Sequence, residues 1–261
     1  MKDWKQFFQN HKNLLEANYP GLSLERFLKE AEEIDGDEDA FLRGVPFAYQ
    51  LGYATFSDYD FKVTADVLIP RSETEQLFEI VDGWLKKHPS LKRLVDIGTG
   101  SGCLGISLAL AHPHLTVLLT DISAAALQVA ETNAYNLKAP VALRASDLFT
   151  NVTGLYDVIV SNPPYIPKGH AGVHAKTHEY EPHLALYLEA EKYHEFFERF
   201  FSQASRHMSA DGVLFMEGHE DFMDVLADLA KKAKLTDIQI LKDWSGRPRF
   251  LRALAPKTPI G

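Results

Sequence analysis

The chain is poor in cysteine and has no long apolar run, and each shortage excludes a class of protein. Its 261 residues include a single cysteine, Cys103, which rules out an internal disulfide framework and favours a reducing, cytoplasmic location. Apolar stretches are short and interrupted by charge, so neither a transmembrane helix nor a membrane partner is expected. Residues 1–5 lack the apolar centre of a signal peptide.

Basic residues are outnumbered by acidic ones. The 27 Lys and Arg against 36 Asp and Glu give a formal net charge of -9 and a pI near 5.6. That balance argues against direct nucleic-acid binding through a broad basic face. The remaining composition, 46% hydrophobic and 24% charged, is that of a globular protein long enough for one large domain and a small appendage.

Residues 1–43 predict a short helical N-terminal domain. Apolar side chains recur at helical spacing over residues 3–15, and Pro20-Gly21 ends that pattern. The acidic run 35–39 predicts a solvated loop. Because two or three helices make a weak core alone, they are expected to pack on the rest of the chain and to help dock a partner. Residues 44–70 then predict a linker that contains a β-hairpin.

A longer helix is predicted from about residue 71 to residue 88. Ser72 and Glu75 have the spacing of a capping box, which accounts for both side chains. Arg71 stands at the helix end that disfavours a cation. Pairing with Glu73 or Glu75 explains this arginine, and contact with a ligand is the alternative.

From residue 93 the sequence alternates strand and helix patterns, which is typical of an α/β fold. Predicted strands cover residues 93–97, 115–120, 141–146, 156–161, 213–216, 237–241 and 250–253. Helical patterns lie among the first five strands at 104–111, 124–137 and 194–207, and another at 222–233 precedes the last two. The alternation predicts a doubly wound, mostly parallel sheet within one domain, residues 71–261. The last two strands have no helix between them, which predicts an antiparallel hairpin at one edge.

A glycine-rich loop, Asp-Ile-Gly-Thr-Gly-Ser-Gly at residues 96–102, joins the first strand of this sheet to a helix. Glycines there permit a tight turn and let a ligand approach the backbone. A P-loop would end in Gly-Lys-Ser/Thr, and a dinucleotide fingerprint would have a third glycine where Cys103 stands. Asp121 ends the next strand, where an acid accepts hydrogen bonds from ribose hydroxyls. An adenosyl ligand without a pyrophosphate therefore fits better than NAD.

A second motif, Asn162-Pro163-Pro164-Tyr165, follows the apolar strand at 156–161. Two adjacent prolines end a central strand because they donate no backbone hydrogen bond. Asn162 and Tyr165 are thereby held at the carboxyl edge of the sheet, where ligands bind in open parallel sheets. An amide oxygen, fixed backbone carbonyls and a flat ring make a slot for a planar group that bears an NH2. Taken alone, a proline-rich loop that merely closes the strand is the alternative.

Residues 95–102, with Asp121 and Asp147, resemble the motifs of the class I S-adenosylmethionine-dependent methyltransferases, which have a Rossmann-like fold. The resemblance implies that the loop backbone lines the methionine moiety, that Asp121 binds ribose, and that Asp147-Leu148 contacts adenine. The implied cofactor-binding residues are Asp96, Gly98, Thr99, Gly100, Ser101, Gly102, Asp121, Asp147, Leu148 and Asn162. S-adenosylhomocysteine is the implied product, and no metal is expected.

In such proteins Asn-Pro-Pro-Tyr marks transfer to a planar nitrogen of adenine, guanine, cytosine or a glutamine amide. That nitrogen delocalises its lone pair and is a poor nucleophile. If the Asn162 side-chain oxygen and the Pro163 carbonyl each accept one N–H, the lone pair can point at the sulfonium methyl. Tyr165 would hold the planar group, and catalysis would consist mainly of orientation and of stabilising the developing positive charge.

Four further stretches narrow the acceptor. These stretches, 46–52, 67–75, 180–182 and 243–249, resemble the protein-(glutamine-N5) methyltransferases of the HemK/PrmC family. The resemblance runs from about Gly44 to the C-terminus and implies that the partner is a class 1 peptide chain release factor, modified at the glutamine of its Gly-Gly-Gln loop. Two departures concern docking of that partner: the N-terminal domain is shorter than is usual in the family, and the family's glycines are replaced in residues 187–190.

Two other functions are consistent with parts of the sequence. An N6-adenine methyltransferase acting on DNA or RNA would share the glycine loop and Asn-Pro-Pro-Tyr, but would need a base-flipping cleft and a basic face. A catalytically silent binding module would keep the fold alone. The intact glycine loop, Asp121 and Asn162 argue against the silent module.

Cysteine and histidine complete the candidate reactive residues. Cys103, at a helix start with no partnering base, is expected to be a buried packing residue. His170, His174 and His178 are spaced by four and could bind a metal on a helix. Gly169 makes a continuous helix there doubtful, as does Gly172, and methyl transfer from a sulfonium needs no metal.

Overall fold

The computed structural model describes residues 2–34, 37–170 and 174–257. Its helices are α1 (Trp4–Asn18), α2 (Leu24–Ile34), α3 (Glu38–Arg43), α4 (Phe47–Leu51), α5 (Ser72–Lys87), α6 (Cys103–Ala111), α7 (Ala124–Asn136), α8 (Ala175–Tyr180), α9 (His183–Leu186), α10 (Tyr193–His207) and α11 (Met223–Lys232). Its strands are β1 (Tyr53–Phe56), β2 (Tyr59–Lys62), β3 (Arg93–Ile97), β4 (Thr116–Asp121), β5 (Val141–Ala145), β6 (Tyr156–Ser161), β7 (Ile166–Pro167), β8 (Tyr187–Leu188), β9 (Met208–Glu217), β10 (Thr236–Lys242) and β11 (Pro248–Leu254). Within these residues, no helix combines the length and apolarity that a bilayer span requires.

The N-terminal helices pack around a small aromatic core. Phe27 of α2 and Phe41 of α3 are fully buried, and their rings meet edge to face with centroids 5.2 Å apart. Phe47 of α4 belongs to the same cluster and packs on Phe41. The core of this region therefore extends beyond residue 43, into the stretch predicted to be a linker.

The acidic run at 35–39 differs in part from the expected loop. Residues 35 and 36 lie outside the described residues. Asp37 caps α3, because its side chain accepts the backbone N–H of Asp39 at 2.9 Å. The second half of the run therefore starts a helix, which acidic side chains favour at this end.

One seven-stranded sheet, in the order β10-β11-β9-β6-β3-β4-β5, forms the centre of the molecule. Strands β9, β6, β3, β4 and β5 run parallel, and β10 and β11 complete the edge in antiparallel pairings. This confirms the doubly wound sheet and its edge hairpin. Strand β9 starts at Met208, earlier than predicted, because Ser209 and Asp211 give its first half a loop-like polarity. Ser209 there donates to the Asp157 carboxylate at 2.7 Å.

Alternate residues of the central strands enter two hydrophobic layers, one on each face of the sheet. Val158 and Val160 of β6 pack in one layer with side chains of α5 and α6, whereas Ile159 packs in the other with α10 and α11. This two-residue period is what a strand buried on both faces requires. Because parallel strands end at a common edge, the segments after β3, β4, β5 and β6 meet there.

The start of α5 differs from the prediction. The helix begins at Ser72 with Arg71 as its capping residue, and the side chain of Arg71 makes no capping hydrogen bond. Ser72 donates to the neighbouring Glu73 carboxylate at 3.1 Å, and Glu75 accepts the backbone N–H of Ser57 at 2.6 Å. The predicted capping box is therefore wrong: Glu75 holds the turn between β1 and β2 against α5.

Candidate active site

Two adjoining cavities lie at the carboxyl edge of the sheet. One has a volume of about 490 Å³ and is lined by the glycine-rich loop and the ends of β4 and β5, and the other, of about 590 Å³, lies beside Tyr165. Both are lined by Leu68, Arg71, Asn162, Pro163 and Ala185. The two cavities therefore share a border that includes the first two residues of the Asn-Pro-Pro-Tyr motif.

The glycine-rich loop folds back onto the neighbouring strand. The backbone N–H groups of Gly98 and Thr99 both donate to the Thr120 carbonyl at 2.9 Å. Gly102 has a φ of +83°, and a Cβ there would lie 2.7 Å from the Ile106 side chain. Gly98 and Gly100 also have positive φ, so this conformation disfavours other residues at three positions. Ser101 lies buried between them and lines the first cavity.

Asp96, at the end of β3, holds the glycine-rich loop through hydrogen bonds to its carboxylate. It is 1% exposed, and its carboxylate accepts the Thr99 hydroxyl at 2.6 Å and the Gly105 N–H at 3.1 Å. Burial raises the pKa of Asp96 to about 7, against the smaller opposing effect of these hydrogen bonds. Gly105 was not singled out in the sequence, yet a Cβ at this position would lie 2.9 Å from the Asp96 carboxylate.

Asp121, at the end of β4, hydrogen-bonds to the glycine-rich loop. Its two carboxylate oxygens accept the backbone N–H groups of Gly100 and Ser123, each at 2.9 Å. Burial raises its pKa, although those hydrogen bonds act in the opposite direction. Asp121 and Ile122 both line the first cavity.

Asp147 and Leu148 close the far wall of the same cavity. Asp147 forms an ion pair with Arg199 of α10 at 2.6 Å, and Arg199 also lines the cavity. Leu148 is buried and has a φ of +50°. Arg199 lies 52 residues after Asp147, so no local sequence pattern could have indicated the pair.

Asn162 is held by one end of its amide. Its Nδ2 donates to the Thr74 hydroxyl at 2.9 Å, and Thr74 in turn donates to Glu217 at 2.9 Å. Because the Thr74 hydrogen is directed at Glu217, its oxygen must accept, which fixes the orientation of the Asn162 amide. No described residue hydrogen-bonds to Asn162 Oδ1, whose residue lines both cavities.

Tyr165 is fixed by the same carboxylate. Its hydroxyl donates to Glu217 at 2.8 Å, and burial raises the pKa of Tyr165 well above its ordinary value. Pro163 is buried between the cavities, and Pro164 lines the first of them. The structure thus brings the four predicted residues together, and it adds Thr74 and Glu217, which the sequence analysis did not identify.

Arg71 pairs with a different partner from those predicted. Its guanidinium donates to the carboxylate of Glu181, whose side chain is only 2% exposed. Glu181 also accepts the Ile69 N–H at 3.2 Å. The predicted pairing with Glu73 or Glu75 is therefore wrong, because the segment after α8 brings a buried carboxylate to the start of α5.

The three predicted histidines do not form one group. His174 caps α8, accepting the Lys176 N–H at 3.3 Å, while His178 stacks on His183 with ring centroids 4.6 Å apart. Residues 171–173, which include Gly172, lie outside the described residues.

His170 lies instead beside His219 and Asp221. Its Nε2 is 3.3 Å from the Asp221 carboxylate, and the ligand atoms of the three residues lie within 4.8 Å of one another. His219 Nδ1 already accepts the backbone N–H of Asp221 at 3.2 Å, and burial lowers its pKa. The three side chains are thus connected by the hydrogen bond to His219 and by close His–Asp contacts.

Cys103 is buried, as expected, and burial raises the pKa of its thiol to about 12. The thiol is therefore protonated at neutral pH and is a poor nucleophile.

The fold, the glycine-rich loop with its acids and the proline-closed strand end define a class I S-adenosylmethionine-dependent methyltransferase. Residues 80–179 match the sequence model of a protein family, the methyltransferase small domain. The crystal structure of a ribosomal protein L11 methylase from Lactobacillus delbrueckii subsp. bulgaricus is similar in fold, with a TM-score of 0.51, 24% identity, and coverage of 71% of this chain and 80% of that one.

Similar proteins of known name identify a family within this class. The release factor glutamine methyltransferase of Bacteroides thetaiotaomicron is 35% identical over 212 residues, which cover 80% of this chain and 75% of that protein. The protein of the same name from Bacillus cereus is 32% identical and aligns over 92% of this chain and 89% of its own length. The chain belongs to the release factor glutamine methyltransferase family.

Proposed function

We propose that this protein transfers the methyl group of S-adenosylmethionine to the side-chain N5 of a glutamine in the Gly-Gly-Gln loop of a class 1 peptide chain release factor. The observation that carries the proposal is the meeting of two cavities at Asn162 and Pro163. The name shared by the curated relatives supports the choice of substrate.

The first cavity fits the cofactor in size and chemistry. Its volume of about 490 Å³ is within the range of small-molecule sites. Bound S-adenosylmethionine would supply an electrophilic methyl group and leave as S-adenosylhomocysteine. We propose that the backbone of Gly98, Thr99, Gly100, Ser101 and Gly102 lines its methionine part, with Asp96 supporting the loop. Asp121 would accept the ribose hydroxyls, and Asp147 and Leu148 would border adenine, with Asn162 at the methyl end.

The second cavity would receive the glutamine. Asn162 Oδ1 and the Pro163 carbonyl each accept one N–H of the amide, which turns the nitrogen lone pair toward the first cavity. Pro164 stiffens the turn, and the Tyr165 ring holds the planar group. As the N–C bond forms, positive charge develops on nitrogen, and these two oxygens stabilise it. No base is required before transfer, and the proton that nitrogen then loses passes to water.

Further features belong to the same proposal. The N-terminal helices would dock the release factor, and a reducing cytoplasm suits the free thiol of Cys103. The reaction as proposed uses no metal. Nucleic-acid adenine methylation, the alternative, is not favoured by the names of the relatives or by the net charge of -9.

A labelled-methyl assay tests the proposal. The protein is incubated with radiolabelled S-adenosylmethionine and either a release factor, the same factor with its loop glutamine changed to alanine, or duplex and single-stranded nucleic acid. We expect label only in the unaltered release factor. Label in nucleic acid, or equal label in the altered factor, would contradict the proposed substrate.

A further inference from the structure

A buried chain of hydrogen bonds lies behind the proposed acceptor clamp, Asn162 to Tyr165. Asn162 donates to Thr74, Thr74 donates to Glu217, and Tyr165 donates to the other oxygen of the same carboxylate, at 2.9, 2.9 and 2.8 Å. Thr74 is 3% exposed and Glu217 is 1% exposed, so water does not compete for these bonds. This series of hydrogen bonds ends at the buried Glu217 carboxylate. Burying a carboxylate costs free energy unless its oxygens accept hydrogen bonds.

The donor-to-acceptor order of these hydrogen bonds determines which amide atom of Asn162 faces the acceptor. An ionised carboxylate can only accept, so the Thr74 hydrogen points at Glu217 and its oxygen accepts from Asn162 Nδ2. Oδ1 is then the amide atom left for the acceptor cavity. If Glu217 donated instead, the Thr74 hydrogen would turn toward Asn162, whose amide would flip and offer N–H groups to a substrate that itself presents N–H groups.

We propose that Glu217 and Thr74 are positioning residues that set the polarity of the clamp, so that Asn162 presents an acceptor and Tyr165 is fixed in orientation. The proposal rests on the proposed function, because it assumes that the substrate is an amide NH2. Neither residue needs to touch the substrate for this role: the carboxylate acts through Thr74 on Asn162 and directly on Tyr165.

The surroundings of Glu217 determine how its charge responds to pH. It faces Tyr165 from the loop after β6, Glu73 from α5, Arg249 from β11 and Cys103 from α6. Burial raises its pKa above the ordinary 4.5, and Glu73 acts in the same direction, while Arg249 and the two hydroxyl donors lower it. Protonation would turn Glu217 into a hydrogen-bond donor. Thr74 could then donate to Asn162, and the Asn162 oxygen would no longer be directed at the acceptor.

The test compares Glu217→Gln with three other variants. Glutamine keeps the shape of glutamate but carries an NH2, so either Thr74 or Tyr165 must face a donor. We expect turnover to fall roughly 100-fold, the size of effect that a misplaced reacting group produces, with the dissociation constant of S-adenosylmethionine unchanged. Thr74→Val should give a similar loss, Thr74→Ser should retain most activity, and Glu79→Gln, an exposed site on the same helix, should match wild type.

The pH profile separates positioning from a merely structural role. Turnover of the wild type should fall as pH decreases through the raised pKa of Glu217, and this acidic limb should be absent from Glu217→Gln. The double variant Glu217→Gln/Thr74→Val should lose no more activity than either single variant, because both break one chain. Circular dichroism and thermal melting monitor folding throughout.

The outcomes distinguish this inference from the proposed function. Wild-type protein that methylates no glutamine would overturn the proposed function, and the positioning role with it. Wild-type activity on glutamine, with Glu217→Gln folded and equally active, would overturn the positioning role alone. A lower melting temperature with an unchanged acidic limb would mean that Glu217 only stabilises the fold, and this too would overturn it.

Discussion

At the scale of single residues, two buried carboxylates support the two halves of the site. Asp96 lies under the glycine-rich loop and Glu217 lies behind the acceptor clamp, and each is 1% exposed. Both are bound by hydroxyl or N–H donors contributed by other elements. Each carboxylate therefore fixes a backbone or side-chain geometry that the cofactor or the acceptor would meet.

Asp96 should make stability depend on pH. Its pKa is about 7 in the folded chain against an ordinary 3.8, so the folded state holds a proton that the unfolded state has lost between these values. The free energy of unfolding should therefore fall as pH rises through that interval, by at most about 1.4 kcal/mol per pH unit. Asp96→Asn removes the titrating group and should flatten the slope measured by urea unfolding at a series of pH values.

The matched control is Asp228→Asn, an exposed position on α11. It should retain the wild-type slope. A slope in Asp96→Asn as steep as in the wild type would mean that other groups cause the pH dependence.

At the scale of elements, the connections after the strands carry the chemistry and the glycines determine their form. Gly102 caps the start of α6 in a left-handed conformation, and the side chain of Ile106 occupies the space that a Cβ at Gly102 would need. The same loop is tied to β4 by hydrogen bonds from Gly98 and Thr99. A substitution at Gly98 or Gly102 should therefore change the shape of the first cavity more than the packing of the sheet.

Gly102→Ala should weaken binding of S-adenosylmethionine, measured by isothermal titration calorimetry. Alanine at this φ costs about 1–2 kcal/mol, and the side chain of Ile106 must also move. Gly83→Ala is the control, because Gly83 lies inside α5 and a Cβ added there would point into open space. That change should leave affinity unaltered and raise stability by about 0.5–1 kcal/mol. Equal affinity of the two variants would contradict the role of the loop.

The N-terminal helices form a second element-scale unit. Phe41→Ala opens the fully buried centre of their aromatic core and should cost about 3–5 kcal/mol of stability in urea unfolding. Leu14→Ala, at a side chain 46% exposed, should change stability by less than about 0.5 kcal/mol. If these helices dock the partner, Phe41→Ala should also raise the KM for the release factor while affinity for S-adenosylmethionine holds. An unchanged KM would argue against docking through this region.

At the scale of the whole molecule, the sheet was predictable because its strands are short apolar runs separated by helical patterns. The glycine-rich loop and Asn162 to Tyr165 were also visible, since each is contiguous in sequence. The predicted capping box at Ser72 failed because Glu75 is used by a hairpin turn that local spacing cannot reveal.

Contacts between distant residues were not predictable. Thr74 and Glu217 are 143 residues apart, and no local spacing indicates that their side chains meet. Arg71 and Glu181 are 110 residues apart and meet only because the fold brings the segment after α8 to the start of α5. The sequence thus indicates the groups that would touch the ligands, while the residues that orient them become visible only in the fold.

The central claim is that Asn162 orients a protein glutamine toward a sulfonium methyl. The most direct measurement is the single-turnover rate of methyl transfer to a release factor by Asn162→Ala, together with its affinity for S-adenosylmethionine. Asn136→Ala, an exposed position at the end of α7, is the control and should match wild type. We expect Asn162→Ala to lose roughly 100-fold or more in rate with little change in cofactor affinity. A rate close to that of wild type would contradict the account.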